Sequence, residues 1–274
     1  MGISLIVLTN FYPAALRALH YADALACAQG GRLVLLHVNR SSLYDLYMFA
    51  GEGWRRQELD RDADTATLLE RLATQLHTPA TVELATDLLP DVAQDLVTRY
   101  QSGLFVVGLP AANHASPEQL SSTTLDLLRA AQFPVLVVPD ATPAAALPRR
   151  VMVAVDQENF VLANAGAVIE LLQSIKAEVT VVHVTSVEDD AGCARALMHV
   201  QGSGLTKGVR SVDLRGFLHS DPAVGVLEAI TQVSPDLVVV LSRSRNYLGG
   251  LFHHSVTAHV IARSPVPVLV LPVN

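Results

Sequence analysis

The chain repeats itself, and this repeat constrains the fold more than any other feature of the sequence. The segment RLVLLHVN at 32–39 returns as EVTVVHVT at 178–185, an offset of 146 residues. The segment FPVLVVPD at 133–140 returns as VPVLVLPV at 266–273, an offset of 133 residues. Solenoid repeats recur roughly every 20 to 50 residues, so this spacing indicates a tandem duplication instead.

Both copies alternate short β-branched runs with helical patterns, which predicts a parallel sheet covered by helices on both faces. We therefore predict an α/β fold of two tandem doubly wound parallel-sheet domains, at 1–140 and 150–274, with a Pro/Ala-rich linker at 141–149. Strands are predicted near 3–9, 32–38, 81–85, 103–107, 134–138, 151–155, 178–184, 210–218, 236–241 and 267–271. Helices of the second copy are predicted near 158–175, 190–201, 222–233 and 255–263.

Composition and charge exclude several classes of function. Half of the residues are hydrophobic and 16% are charged, which is typical of a globular protein with a sizeable core. The net charge of −7 comes without a basic stripe, which argues against nucleic-acid binding. No apolar run reaches the length of a spanning helix, so we expect no membrane association and a cytoplasmic location. Cys27 and Cys193 are expected to be buried, inert thiols.

The carboxyl ends of the strands are where a doubly wound fold binds its ligands. The chain carries several segments whose order is repeated in the two copies: LTNFYPAALRALHYADALA, LLHV, VVHV, PVLVVP and PVLVLP. In these segments it resembles the universal stress protein family. The resemblance covers nearly the whole chain. It implies a flavodoxin-like domain that dimerises through its final strands, which a tandem copy achieves within one chain as a pseudo-dimer.

Nucleotide-binding members of that family carry Gly-x2-Gly-x9-Gly-Ser/Thr after the fourth strand, and an Asp that contacts adenine at the end of the first strand. Glycines let the backbone approach phosphate oxygens, and the following helix offers free N–H groups. In the second copy the three glycine positions hold Leu241, Ser244 and His254. The resemblance and the charge of the loop give these candidates for nucleotide binding: Asp156, Val184, Arg243, Ser244, His254, Ser255, Val256 and Thr257.

The first copy keeps one of the three glycines, and its Asp position holds an amide. Pro110, close to the remaining glycine, removes a further N–H donor from the loop. Its weaker candidates are Asn10, Val38, Gly108 and Ser122.

With five of the six glycine positions replaced, the sequence favours solvated polar groups on surface loops over ligand binding. We therefore expect a non-enzymatic stress-response adaptor with no cofactor, unidentified protein partners and room for a further homodimer. The alternative is a regulatory module that binds ATP or another nucleotide at one altered site in the second copy. No hydrolytic or redox motif is present. The spacing of His253, His254 and His259 does not suit a metal site.

Two further features fall outside this motif. The segment 43–54 concentrates four aromatic residues, and it serves either as a lid or docking surface or simply to pin a long loop onto the domain. His37 and His183 end the second strand of each copy, and their duplicate placement predicts a structural hydrogen bond to a neighbouring loop.

Overall fold

The structure is a computed structural model, and it describes residues 2–38, 52–85, 90–101, 103–110, 133–144, 147–243 and 256–274. For 52–62 and 90–91 it describes the backbone alone.

Ten strands of the described residues form one continuous sheet, in the order β3-β2-β1-β4-β5-β10-β9-β6-β7-β8. Neighbouring strands are parallel except at the centre, which confirms the predicted doubly wound α/β fold. The strands are β1 (Ser4–Leu8), β2 (Arg32–Val38), β3 (Ala80–Ala85), β4 (Leu104–Leu109), β5 (Val135–Pro139), β6 (Arg150–Val155), β7 (Glu178–Thr185), β8 (Ser211–Leu218), β9 (Leu237–Arg243) and β10 (Val268–Val273).

The two halves of the chain meet at their final strands, as the resemblance implied. β5 and β10 pair antiparallel, with Leu136 opposite Leu269 at the middle of the contact. Both side chains are buried. Because this one pairing is antiparallel, the carboxyl ends of the strands lie at opposite edges of the sheet in the two halves.

Helices cover both faces of the sheet. Alternate strand residues point to opposite faces, and two apolar clusters result, each running through both halves. Pro13 starts the first helix, and Gly30, in a left-handed conformation at φ 59°, follows its end. The described helices are α1 (Pro13–Ala28), α2 (Glu52–Ala73), α3 (Pro90–Tyr100), α4 (Gly166–Ser174), α5 (Asp190–Gly202), α6 (Pro222–Val233) and α7 (Val256–Arg263).

The first helix of the second half is shorter than predicted. The pattern over 158–175 predicted a helix, but α4 occupies only Gly166–Ser174. The preceding residues instead pair with the chain terminus: Val161 donates to the carbonyl of Asn274 at 3.2 Å, and Ala163 donates to that of Pro272 at 3.0 Å. β5 pairs with β10 only as far as Val270, so this segment bonds to the part of β10 beyond it.

The prediction of buried cysteines is wrong for Cys27, which is exposed, and only partly right for Cys193, which is half-buried. Cys27 lies in the last turn of α1, where the helix turns its buried face, with Leu25 and Ala26, toward the sheet. Burial, followed by the charges of Asp189 and Asp190, raises the pKa of the Cys193 thiol. None of the helices in the described part of the chain has the length and apolar character needed to cross a bilayer.

Candidate functional site

Equivalent histidines mark the same place in both halves. The Nδ1 atom of His37 lies 2.8 Å from the carbonyl oxygen of Thr9, and that of His183 lies 3.1 Å from the carbonyl oxygen of Val155. A carbonyl only accepts, so each Nδ1 carries the proton and donates. The predicted bond to a neighbouring loop is found for His37, since Thr9 follows β1, whereas His183 bonds to Val155, the last residue of β6. Each histidine holds the end of the first strand of its own half.

The residues after these carbonyls, Asn10 and Asp156, are therefore equivalent. Each folds its side chain back onto the chain, where an Oδ1 oxygen accepts the N–H two residues on. The distances are 3.3 Å from Tyr12 to Asn10 and 3.0 Å from Glu158 to Asp156. Such Asx turns fix the direction in which the chain leaves the strand. In both halves the predicted adenine-contacting side chain thus already has a partner.

In the second half, Arg243 contacts the segment that follows β6. Its Nη2 donates to the Oδ1 of Asp156 at 2.9 Å, its Nη1 donates to the carbonyl of Asn159 at 3.2 Å, and its Nε lies 3.5 Å from the Oε2 of Glu158. The Arg243 side chain is 22% exposed, whereas those of Asp156 and Glu158 are 54% and 71% exposed. The structure thus brings together two predicted binding residues and pairs them with each other.

Glu158 and Asn159 were not predicted from the sequence. The available signal was weak: a second carboxylate two residues beyond Asp156, on a segment taken for a helix. We name Arg243, Asp156, Glu158 and Asn159 the arginine cluster. It contains two carboxylates and one guanidinium, so its charge balance is negative.

Gly108 and Leu241 occupy equivalent positions, because Gly108 pairs with Val138 and Leu241 pairs with Leu271 at the same point of the final strands. A Cβ on Gly108 would lie 2.1 Å from the carbonyl oxygen of Ala14, in the first turn of α1. The glycine is therefore required where helix and strand approach closely. This packing accounts for its presence without any ligand.

The equivalent position in the second half faces a different neighbour. α4 begins ten residues after Asp156, whereas α1 begins three residues after Asn10. The helix start is therefore absent from this place, and Leu241 and Leu162 instead pack against the apolar cluster on that face. A leucine fits here because no helix start lies against it, whereas the first half requires a glycine because the start of α1 lies there.

The remaining described candidates have structural neighbours. Val38 is half-buried and pairs with Ala85. Val184 packs against α6, where a Cβ on Gly225 would lie 2.4 Å from its Cγ1. In the first turn of α7, Val256 is exposed and Thr257 is half-buried.

Several predicted residues cannot be placed, because Ser122, Ser244, His254 and Ser255 lie outside the described residues. So does most of the aromatic segment 43–54. Its last three residues, which include Trp54, belong to α2.

Two exposed aromatic residues at the edge of the first half were missed. Tyr12 is 70% exposed and Phe11 is 37% exposed. Phe11 has a left-handed backbone, at φ 61°, and its ring centroid lies 5.7 Å from that of His37. An aromatic pair directly before Pro13 was the signal in the sequence. This edge therefore presents aromatic surface beside Asn10.

Asp221 contributes to the electrostatics at the same edge of the second half. Its Oδ1 accepts the N–H groups of Ala223 at 2.8 Å and Val224 at 3.2 Å, and so caps α6. The hydrogen bond from Val224 and then that from Ala223 lower the pKa of the Asp221 carboxyl group. The nearby His259 and His219 lower this pKa further. The side chain serves as a helix cap. Among the residues that the structure describes, no group of three or more His, Cys, Asp or Glu could hold a metal ion.

The model of the Universal stress protein family matches the chain twice, over residues 4–139 and 148–272. The chain belongs to the universal stress protein family. Among curated proteins, none matches this sequence.

Solved structures share the fold of this universal stress protein. One from Archaeoglobus fulgidus is 18% identical, with 97% of each chain covered and a TM-score of 0.69. A putative universal stress protein from Pseudomonas aeruginosa is 16% identical, with 98% of this chain and 93% of that chain covered and a TM-score of 0.56. An Arabidopsis thaliana family protein with AMP bound is 22% identical, covering 52% of this chain and 95% of that chain, at a TM-score of 0.34. A likeness at that last score does not bear on what this chain binds.

Proposed function

We propose that this universal stress protein is a non-enzymatic stress-response adaptor of the cytoplasm that works through its protein surfaces without a bound nucleotide. The observation that carries the proposal is the arginine cluster. Arg243 ends the strand after which the family's phosphate-binding loop begins, and its guanidinium contacts Asp156, Glu158 and Asn159.

The cluster disfavours a nucleotide in two ways. A phosphate that recruited Arg243 would have to replace the contacts to Asp156, Asn159 and Glu158, which already orient the guanidinium. Without Arg243, the two carboxylates would stand unneutralised beside the phosphate and repel it. The Oδ1 of Asp156 already accepts two hydrogen bonds, so only the Oδ2 of that carboxylate is left for an adenine amino group.

The first half supports the same proposal for a different reason. The close backbone approach that Gly108 permits is taken by the first turn of α1. Asn10 carries no charge, and Pro110 has no N–H to offer a phosphate. Of the described residues at the carboxyl edge of this half, Asn10, Gly108 and Pro110 thus supply no positive charge that would attract a phosphate.

Isothermal titration calorimetry tests the proposal. Mg-ATP, AMP and cAMP are each titrated into the wild-type protein, into Asp156→Ala and into Arg243→Ala. We expect no saturable heat from any of the nine titrations, and no turnover of ATP or of simple phosphoesters. Saturable heat at one site per chain, abolished by Asp156→Ala, would contradict the proposal.

One observation favours a nucleotide-binding regulatory module as the second candidate. The Asp156 side chain remains 54% exposed at the carboxyl edge of its strand, at the position that the family motif assigns to adenine. In that case Asp156 gives up its hydrogen bond from Arg243 and binds the adenine base, and Arg243 binds the phosphates. Both substitutions then weaken nucleotide binding, whereas the adaptor proposal expects none to weaken.

A further inference from the structure

β8 is the edge strand of the second half, and most of its residues are exposed. It pairs with β7 in eight consecutive residue pairs, from Glu178 opposite Ser211 to Thr185 opposite Leu218. Within the described residues no strand lies on its other side. It contains no proline. Its outer row of backbone donors and acceptors is therefore open to another strand.

The register with β7 fixes which backbone groups point outward. At the end of the strand, His219 donates its N–H to the carbonyl of Thr185 at 2.9 Å. Backbone groups of alternate residues in a parallel strand face the same side. The N–H and C=O groups of Val212, Leu214 and Gly216 therefore face away from β7.

The charges along β8 are complementary to the same strand in reverse. Asp213 and Arg215 are two residues apart on one face of the sheet, with 3.6 Å between the Arg215 Nε and the Asp213 Oδ2. Their side chains are 64% and 52% exposed. If a second β8 runs antiparallel with Leu214 facing its own counterpart, each Asp213 lies opposite Arg215 of the second copy.

This register also satisfies the backbone. Leu214 faces itself, and Val212 faces Gly216 of the second copy, as hydrogen-bonded pairs formed by the outward groups. Asp213 and Arg215 then form non-hydrogen-bonded pairs, in which Cα atoms approach to about 4.5 Å and side chains lie closest. Moving the two-fold axis to residue 213 or 215 would place like charges opposite each other, which destabilises a sheet.

The other edge of the sheet lacks this complementarity. β3 is shorter, at six residues, and the Glu83 carboxylate is already held by Arg99, at 2.7 Å, and by the hydroxyl of Tyr100. We propose that the β8 edge is an interaction surface for a second copy of this chain, and that two chains associate by antiparallel pairing of their β8 strands about Leu214.

Charge exchange tests the register. Sedimentation velocity over a micromolar concentration series compares the wild type with Asp213→Arg, with Arg215→Asp and with their equimolar mixture. Each single variant puts two like-charged pairs across the axis, so association weakens by about tenfold or more. In the mixture an all-basic strand meets an all-acidic one, and hetero-association returns to the wild-type strength or exceeds it.

Asp64→Arg, which changes the same charge on the exposed part of α2, is the matched control and is expected to associate as the wild type does. Both substitutions on β8 lie on exposed side chains, and circular dichroism confirms that each variant is folded. A monomeric wild type, wild-type association of the single variants, or a mixture that stays as weak as its components would each overturn the proposal.

Discussion

Gly108 and Leu241 lie at the same point of two copies of one fold, and a leucine could not replace the glycine. In the first half α1 starts immediately after β1, so its first turn presses against β4, and only a glycine fits. In the second half residues 156–165 pass along the end of β10 before α4 starts, and a leucine fills the space. Whether a glycine is kept at this position of the phosphate-binding motif thus depends on the backbone segment that packs against it as well as on a ligand.

The longer segment of the second half does more than fill space. It pairs with the end of β10 and reaches the first half, where a Cβ on Gly103 would lie 3.9 Å from the carbonyl oxygen of Asn164. It also supplies three members of the arginine cluster. One segment therefore both reaches the first half and neutralises the cation of the candidate site, whereas the described residues that follow β1 have neither feature.

The largest effect is expected from Gly108→Ala, which tests whether packing against α1 requires a glycine at this position. The new methyl group would meet backbone of α1 at 2.1 Å, and backbone cannot turn away as a flexible side chain can. We expect a loss of about 3 kcal/mol in the free energy of unfolding. Urea denaturation measures it, with Gly166→Ala as control, since a Cβ at Gly166 would meet no atom within 4 Å outside its chain neighbours and its own helix backbone. Equal stability of the two variants would refute the packing explanation of Gly108.

A buried carboxylate gives the next largest effect. Asp23 of α1 accepts the N–H of His77 at 3.0 Å, the His77 Nδ1–H at 2.9 Å and the N–H of Thr78 at 2.9 Å, and so ties α1 to the turn before β3. With the offset of 146 residues, Ile169 holds this place in the second half. We expect Asp23→Asn to cost about 2 kcal/mol, because hydrogen bonds to a charged group are lost.

The same carboxylate makes the first half sensitive to acid. Burial alone would raise the pKa of Asp23, but the hydrogen bonds from His77 and Thr78 outweigh it and lower the pKa. The stabilisation is therefore complete above an unfolded pKa of about 4 and is lost as the pH falls through the lower folded pKa. Unfolding free energies from pH 7 down to pH 3 should show a smaller decline in Asp23→Asn than in the wild type. Parallel pH profiles would contradict this assignment.

The paired histidines allow a direct comparison of the halves. His183 is buried, whereas His37 is half-buried, although both bond the equivalent carbonyl. We expect His183→Ala to cost about 2 kcal/mol and His37→Ala about 1 kcal/mol, since an orphaned carbonyl is more costly where water cannot reach it. Thermal unfolding of the two variants gives the order. An equal or larger loss from His37→Ala would contradict the explanation that burial of the carbonyl sets the cost.

The smallest effect is expected from the arginine cluster. Arg243→Ala should cost about 1 kcal/mol, because its ion pairs lie near the surface but its side chain is mostly covered. A double-mutant cycle with Asp156→Ala should give a coupling of about 0.5 kcal/mol. Strict additivity would mean that the pair does not hold Arg243 in place.

The sequence was sufficient for the fold but not for the site. The duplicated runs predicted all ten described strands to within two residues at every end, because buried parallel strands carry near-continuous apolar runs. The pattern over 158–165 misled, since the apolar residues of a short edge segment resemble one turn of a helix. That Arg243 turns back onto Glu158 and Asn159 depends on the path of that segment, which no local pattern records.

The central claim is that the described groups that could hold a nucleotide at the two carboxyl edges are already bound by other residues of the chain. The nucleotide content of the protein as purified, denatured and measured by mass spectrometry, tests this claim most directly. We predict no AMP, ATP or cAMP above a trace. Nucleotide released at close to one equivalent per chain would contradict the account, and it would mean that the arginine cluster opens to admit a ligand.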